Sequence, residues 1–219
     1  MWNSQVIVML LEGIRDTLYM TLASTLFGYI IGLPMGIVLT VTDKDGIRSN
    51  AAVYKVLDVI SNLLRSIPFI ILLIVLIPFT RFVVGRSYGS TATIVPLTIA
   101  AAPYIARMVE SSLKEVDAGV IEAARSMGAS DFQIVTRVML VEARTSLIVG
   151  ATISLGTILG YSAMAGTVGG GGLGDIAIRY GYTRWQTDIM VVTVVLLVIL
   201  FQIFQTIGMK IANRLDRRK

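Results

Sequence analysis

What most restricts this chain is where its charges are missing. Thr17–Thr42 contains no Asp, Glu, Lys or Arg, and neither do Ser66–Thr80, Ser87–Ala106, Thr145–Gly174 or Ile189–Met209. A helix rises about 1.5 Å per residue, so roughly 20 apolar residues cross a hydrocarbon core about 30 Å thick. Four of the five stretches reach that length unaided; the second does so only when Val59–Leu64 joins it across Arg65. The expectation is an all-α, polytopic membrane protein with five transmembrane helices. These fall at about 17–42, 59–80, 87–106, 145–165 and 189–209 of a single transmembrane domain covering 1–219. Composition agrees: 15% of the residues are charged, against about 25% in a soluble domain.

An odd number of spans puts the termini on opposite sides. One face collects Lys44, Arg48 and Lys55, then Arg107, Lys114, Arg125, Arg137 and Arg144, then Lys210, Arg214, Arg217, Arg218 and Lys219. The other collects Arg15, Arg81, Arg86, Arg179 and Arg184, leaving Arg65 near the end of a span where it can snorkel. Lys and Arg concentrate in cytoplasmic loops. The N-terminus is therefore expected outside and the C-terminus in the cytoplasm. The first basic residue of the chain is Arg15, so the N-terminus lacks a basic n-region and the first apolar run is expected to remain as a span.

Several chemistries are disfavoured. The chain has no Cys and no His, which removes disulfides, the usual zinc ligands and the usual general base. Gly169-Gly170-Gly171-Gly172-Leu173-Gly174 satisfies G-x-G-x-x-G formally, but it follows a membrane span instead of opening a βαβ unit. Asp175 stands where a phosphate loop needs Lys. The glycines are expected to form a flexible or tightly turned external loop. Asp43 and Asp45 read as ordinary loop residues, and no intramembrane acidic pair supports a proton relay. A basic tail beside five apolar spans does not indicate nucleic-acid binding.

Within the spans, Gly28, Gly32 and Gly36 recur every four residues, a spacing that lets helices approach closely. Residues 1–15, with Trp2, Glu12 and Arg15, read as an interfacial helix leading in, and Pro34 is expected to kink the first span. Ser66 and Pro68 mark a kink that reads equally as a gate element or a packed helix end. The third span, with Pro96, Pro103 and Ala100–Ala102, suits a protein interior; it continues through Arg107, Glu110, Lys114 and Glu115, where water is expected to take over. The fourth is small and polar, with Gly156 and Gly160 and, at its outer end, Tyr161, Ser162 and Met164. The fifth is rich in Val, Leu and Ile and suits lipid, with Tyr180, Tyr182 and Trp185 before it as an interfacial belt.

Between spans three and four lie nearly forty charge-rich residues containing EAARSMGAS, 122–130. Asp117 can cap a helix starting near Ala118, with Val120, Ile121, Ala124 and Met127 on one face and Gly128 at a left-handed end. A second helix follows, with Phe132, Val135, Val138 and Met139 on its apolar side. Small residues at Ala123, Ala124 and Gly128 allow another surface to approach; a helix that merely shields the bundle is the alternative reading.

Glu122-Ala123-Ala124, three residues, then Gly128 resembles the cytoplasmic motif of bacterial ABC importer permeases. That motif ends Ile-x-Leu-Pro where this chain has Val138-Met139-Leu140-Val141, so its last position departs from the family. RSIPFIILL at 65–73, IVPLTIAAAPYIARMVE at 94–110 and GYSAMAGTVGGGGLG at 160–174 are similar to the methionine importer permeases. The resemblance implies a multi-pass subunit of the bacterial inner membrane that is not itself an enzyme. It implies a homodimer forming the pathway for methionine, D- and L-, with two copies of a cytoplasmic ABC ATPase that bind ATP and Mg. It also implies an extracytoplasmic substrate-binding lipoprotein. The segment 117–140 would dock on the ATPase through Glu122, Ala123, Ala124, Met127 and Gly128, while Ser66, Pro68, Tyr161, Ser162 and Met164 are candidates for the pathway or gate. Another amino acid or a small peptide is the alternative cargo. An ATP-independent channel or secondary transporter, and a membrane scaffold, are the other function classes.

Overall fold

A computed structural model of the chain describes residues 4–215, all of whose regular structure is helical. Trp2, Arg217, Arg218 and Lys219 lie outside the described residues. In lipid each backbone N–H and C=O has to be satisfied within the protein, and a helix does this along its own length. Four helices are long and apolar enough to span: α1 (Ser4–Thr42), α5 (Ser90–Lys114), α9 (Arg144–Ala165, counted with the short turn to Val168) and α11 (Thr187–Leu215). The expected interfacial helix merges with the first span, because α1 is continuous over 39 residues and is not interrupted at Pro34. At about 58 Å by helical rise it outruns the hydrocarbon core.

The expected second span is broken. α2 (Ala51–Ser66) meets α3 (Phe69–Val75) at 101°, and α4 (Ile77–Val84) follows. The cause is local: Pro68 has no N–H to give, and the residue before a proline is disfavoured in the α region. Pro68 takes an extended conformation (φ −54°, ψ 132°), and its carbonyl accepts from Ile71 and Leu72 at 2.9 and 3.0 Å to start α3. The fifth span exists only if this bent pair is counted as one.

The chain packs as two units. The first holds the described residues up to Phe27, Ile67–Ala101 and Leu155–Gln205; the second holds Gly28–Ser66, Ala102–Ser154 and the described residues from Thr206. In the first, Met20, Phe69, Leu73, Leu97 and Ala165 form one buried cluster, and Leu10, Leu173, Ile176 and Ile189 a second. The glycine run is a packed turn instead of a flexible loop. Gly169 and Gly171 adopt φ of 78° and 84°, Gly89 donates to the Gly169 carbonyl at 2.9 Å, and the Leu173 N–H reaches Thr17 Oγ1 at 2.8 Å. It leads into α10 (Gly172–Ile176) and a π-helical stretch, Ala177–Tyr182.

In the second unit, Gly32 and Gly36 let α1 lie against the backbone of α5. A Cβ on Gly32 would sit 2.6 Å from the Ala102 carbonyl oxygen and 2.9 Å from Ile105 Cβ; one on Gly36 would sit 2.7 Å from Val109 Cβ. α5 is the core helix, with 67% of its apolar window buried against 11% for α11. No residue of α5 from Thr91 to Glu110 is exposed, so it packs on all sides, as its small residues require.

Gly36→Leu should therefore lower the melting temperature of the purified protein sharply, since over-packing costs about 1–3 kcal/mol or more. Gly160→Ala, where a Cβ would meet nothing within 4 Å, should leave it unchanged or slightly raised. Thermal unfolding in detergent followed by tryptophan fluorescence makes the comparison; equal shifts would remove the close-approach argument.

Candidate functional site

The segment after α5 is built by local signals. Asp117 Oδ1 accepts the Gly119 N–H at 2.8 Å and starts α6 (Ala118–Ser126). Gly128 has φ +81°, the Gly128 N–H bonds to Arg125 O at 2.9 Å and the Ala129 N–H to Ala124 O at 3.1 Å, closing the helix as a Schellman-type cap. Nothing lies within 4 Å of where a Cβ would be, so Gly128 is required by conformation alone. Ser130 and Gln133 then form a capping box that starts α7 (Asp131–Gln133). Its S-x-x-Q spacing was a legible signal that the sequence reading missed.

The continuation is not the regular helix expected. Ile134–Met139 is π-helical and passes into α8 (Leu140–Glu142). The wider turn shifts the helical phase, so the expected apolar side divides. Ile134, Val135 and Met139 are buried, whereas Phe132 is 76% exposed. The expected face of α6 divides as well: Ala124 is buried and Ile121 half-buried, while Val120 is exposed and Met127 is 82% exposed. Glu122 and Ala123 are also exposed. The surface of this segment thus combines the acids Asp117, Glu122 and Asp131 with three exposed apolar side chains, Val120, Met127 and Phe132.

Charged groups brace the segment from within the same unit. Arg125 donates to the Ile47 carbonyl at 2.9 Å. Lys114 pairs with Asp43 at 2.7 Å and with Glu110 at 2.8 Å; Arg107 pairs with Glu110 at 2.7 Å and with Asp58 of α2. Tyr54 donates its hydroxyl to Glu110 at 3.3 Å. Two expectations are corrected here. Water does not take over at Glu110, which is only 5% exposed, because two cations and a phenol replace its hydration. Asp43 is not an ordinary loop residue either. The hydrogen bond from Lys114 holds its carboxyl below the usual carboxylate range, against the opposing effect of desolvation. It is therefore charged throughout the physiological range, and its pairing is lost only as pH falls through that lowered value.

The candidate pathway residues occupy distinct settings. Ser66, at the end of α2, is exposed and donates to the Asn62 carbonyl at 2.7 Å. Pro68 is exposed at the break. Tyr161 is half-buried and stacks on Phe69 with ring centroids 4.6 Å apart and planes 7° from parallel. Met164 is 52% exposed on α9. Ser162 faces inward, fully buried, with its hydroxyl donated to Leu159 O at 2.8 Å, so its donor is spent within its own helix. The structure thus joins Tyr161 to Phe69, which the sequence reading had not singled out, although an aromatic directly after the Ser-Ile-Pro break was its signal. Gly160 and Met164 are both exposed on α9, one helical turn apart.

Comparison with known proteins gives one consistent answer. The binding-protein-dependent transport system inner membrane component family matches residues 28–219. The probable D-methionine transport system permease protein MetI of Vibrio cholerae is 48% identical over 210 residues, 96% of this chain and 93% of that protein. The D-methionine transport system permease protein MetI of Escherichia coli is 54% identical over 158 residues, 72% and 73% of the two chains. A solved inward-facing MetNI methionine ABC transporter shares 49% identity over 99% of this chain and 100% of its own, with a TM-score of 0.97. An amino acid ABC transporter structure with histidines, at 20% identity and a TM-score of 0.77, shares the fold. The chain belongs to the family of inner membrane components of binding-protein-dependent transport systems.

Proposed function

We propose that two copies of this chain form the translocation pathway of an ATP-driven importer for methionine, D- and L-, in the inner membrane of a bacterium. The observation that carries this is the capped helix α6 and the turn after it, which leave Val120, Met127 and, in α7, Phe132 exposed, in a chain closely related to proteins named as D-methionine permeases. Apolar side chains this exposed next to ordered backbone fit a partner surface. The likeness to the solved MetNI methionine ABC transporter supports a cytoplasmic ABC ATPase as that partner, two copies per dimer, which binds ATP and Mg. Glu122, Ala123, Ala124, Met127 and Gly128 form the docking site. The excess of Lys and Arg on one set of loops supports a cytoplasmic C-terminus and an outer N-terminus. On that outer side a substrate-binding lipoprotein delivers the cargo.

Closure of the ATPases on ATP moves α6 as a rigid body and switches the dimer between outward- and inward-open states. Only interactions that differ between those states can drive the switch, and the docked helix is where ATP makes such a difference. In the pathway, Met164 is available on α9 and Tyr161 offers a ring braced by Phe69. A thioether suits both, through soft contacts and sulfur–aromatic contacts of about 0.3–1.5 kcal/mol. Ser66 and Pro68 sit at the break where a gate can hinge, and Ser162 holds the inward side of α9.

Met127→Asp changes an exposed side chain, so insertion and folding should persist while co-purification of the ATPase falls at least about tenfold, the loss expected of a hot-spot contact worth roughly 2 kcal/mol. Gly128→Trp should do the same through backbone strain at positive φ. Normal co-purification and normal vesicle uptake in both variants would remove the docking site. In contrast, Tyr161→Ala and Met164→Ala should raise the KM for methionine several-fold with ATPase assembly intact, read by radiolabelled uptake with D- and L-methionine as competitors. Unchanged kinetics in both would take these residues out of the pathway.

A further inference from the structure

Polar side chains join the docking helix to the broken span in series. Arg125 of α6 grips the Ile47 carbonyl in the α1–α2 connection. In the same connection Asp43 pairs with Lys114, the last residue of α5. Lys114 and Arg107 share Glu110. Arg107 then reaches α2, where its Nη2 contacts Asp58 and lies 3.1 Å from the Asn62 amide oxygen. α2 ends at Ser66, where the chain turns through 101° into α3.

Two observations set this series apart from a fully settled brace. First, α6 is not packed solidly against what it braces. An open cleft of about 420 Å³ lies between Ile121 and Glu122 of α6, Leu113 and Lys114 of α5 and Ile47 of the α1–α2 connection, and Arg125 bridges α6 to that connection across it. Second, the seam between α2 and α5 is incompletely satisfied. Arg107 Nε and Ser61 Oγ, one turn from Asp58, are buried without a hydrogen-bond partner. A seam settled in one arrangement leaves few such atoms. Here Arg107 divides its two terminal nitrogens between a carboxylate on its own helix and one on α2. A fork of this kind can hold Glu110 whether it keeps or releases Asp58, as a joint that couples distant sites must.

We propose that the chain of pairs from Arg125 through Asp43–Lys114 and Glu110–Arg107 to Asp58 is the positioning relay that carries displacement of α6 to α2, and so to the bend at Ile67–Pro68. The proposal rests on the docking role assigned to α6 above. Arg107 and Asp58 touch no cargo in this account; they decide whether α2 follows the docking helix.

The test uses the complete complex of permease, ATPase and binding protein in vesicles, and reads methionine taken up per ATP hydrolysed. Asp58→Asn should lower that ratio at least about tenfold, within the usual range of coupling between sites, while ATP hydrolysis stays within about twofold of the parent. Asp58→Glu should restore it. A purely structural pair would lower uptake, hydrolysis and melting temperature together and leave the ratio unchanged. If Asp58→Asn fails to assemble, Arg125→Gln supplies the same measurement at an exposed joint. An unchanged ratio in whichever variant assembles overturns the relay while the importer stands. A parent complex that hydrolyses ATP but imports no methionine overturns the importer reading, and the relay with it.

Discussion

A carboxylate buried near the end of α5 sets the terms for half of this protein. An ion the size of Glu110 loses its hydration at a cost of several kcal/mol, so burial is possible only where partners converge on it. Arg107 and Lys114 come from its own helix, one turn away on either side, and Tyr54 from α2. The cations need partners in turn. Asp58 receives Arg107 and Asp43 receives Lys114, which obliges α2 and the α1–α2 connection to pass alongside α5. Removing Glu110 or Arg107, both largely enclosed, leaves the other as a buried charge short of a partner, at about 3–5 kcal/mol, whereas Asp58 and Lys114 keep contact with solvent. The second unit is therefore assembled around one acid as much as around its apolar contacts.

Backbone shape does the rest. α5 can be enclosed because α1 offers Gly32 and Gly36 to it, bringing main chain against main chain where lipid supplies no hydrophobic drive for helix association. Pro68 does the reverse and stops a helix inside an apolar run, so that two short helices and a sharp bend stand where a straight span was expected. The close pair encloses α5, and the break starts α3 at Phe69, whose ring stacks on Tyr161 within its unit.

Local signals were legible wherever chain neighbours decide the outcome. Asp117 and Gly128 bound α6 as read, because an N-cap oxygen and a left-handed glycine act within one turn. The four long spans follow from charge-free length alone. The continuation after Gly128 was not legible in the same way. Phe132 shares a helical period with apolar neighbours, yet it is exposed just before the π-helical stretch whose Ile134, Val135 and Met139 are buried. Tyr161 stood out as an aromatic at a span end, but its stacking partner Phe69 lies far away in sequence, on the other side of α5 in chain order.

The amino-acid sequence by itself determined that this chain is helical and spans a membrane, that a capped helix stands between spans three and four, and, through its motif, which transport family it resembles. Those properties depend on hydropathy and on contacts within a few residues. Only the tertiary structure decided which polar groups would be buried and which apolar ones left out. Glu110 and Ser162 turn inward, whereas Met127 and Phe132 turn outward. The physical reason is that burial is settled by partners from remote positions, as when Arg107 finds Asp58 49 residues earlier. No local pattern encodes that meeting until the helices are packed.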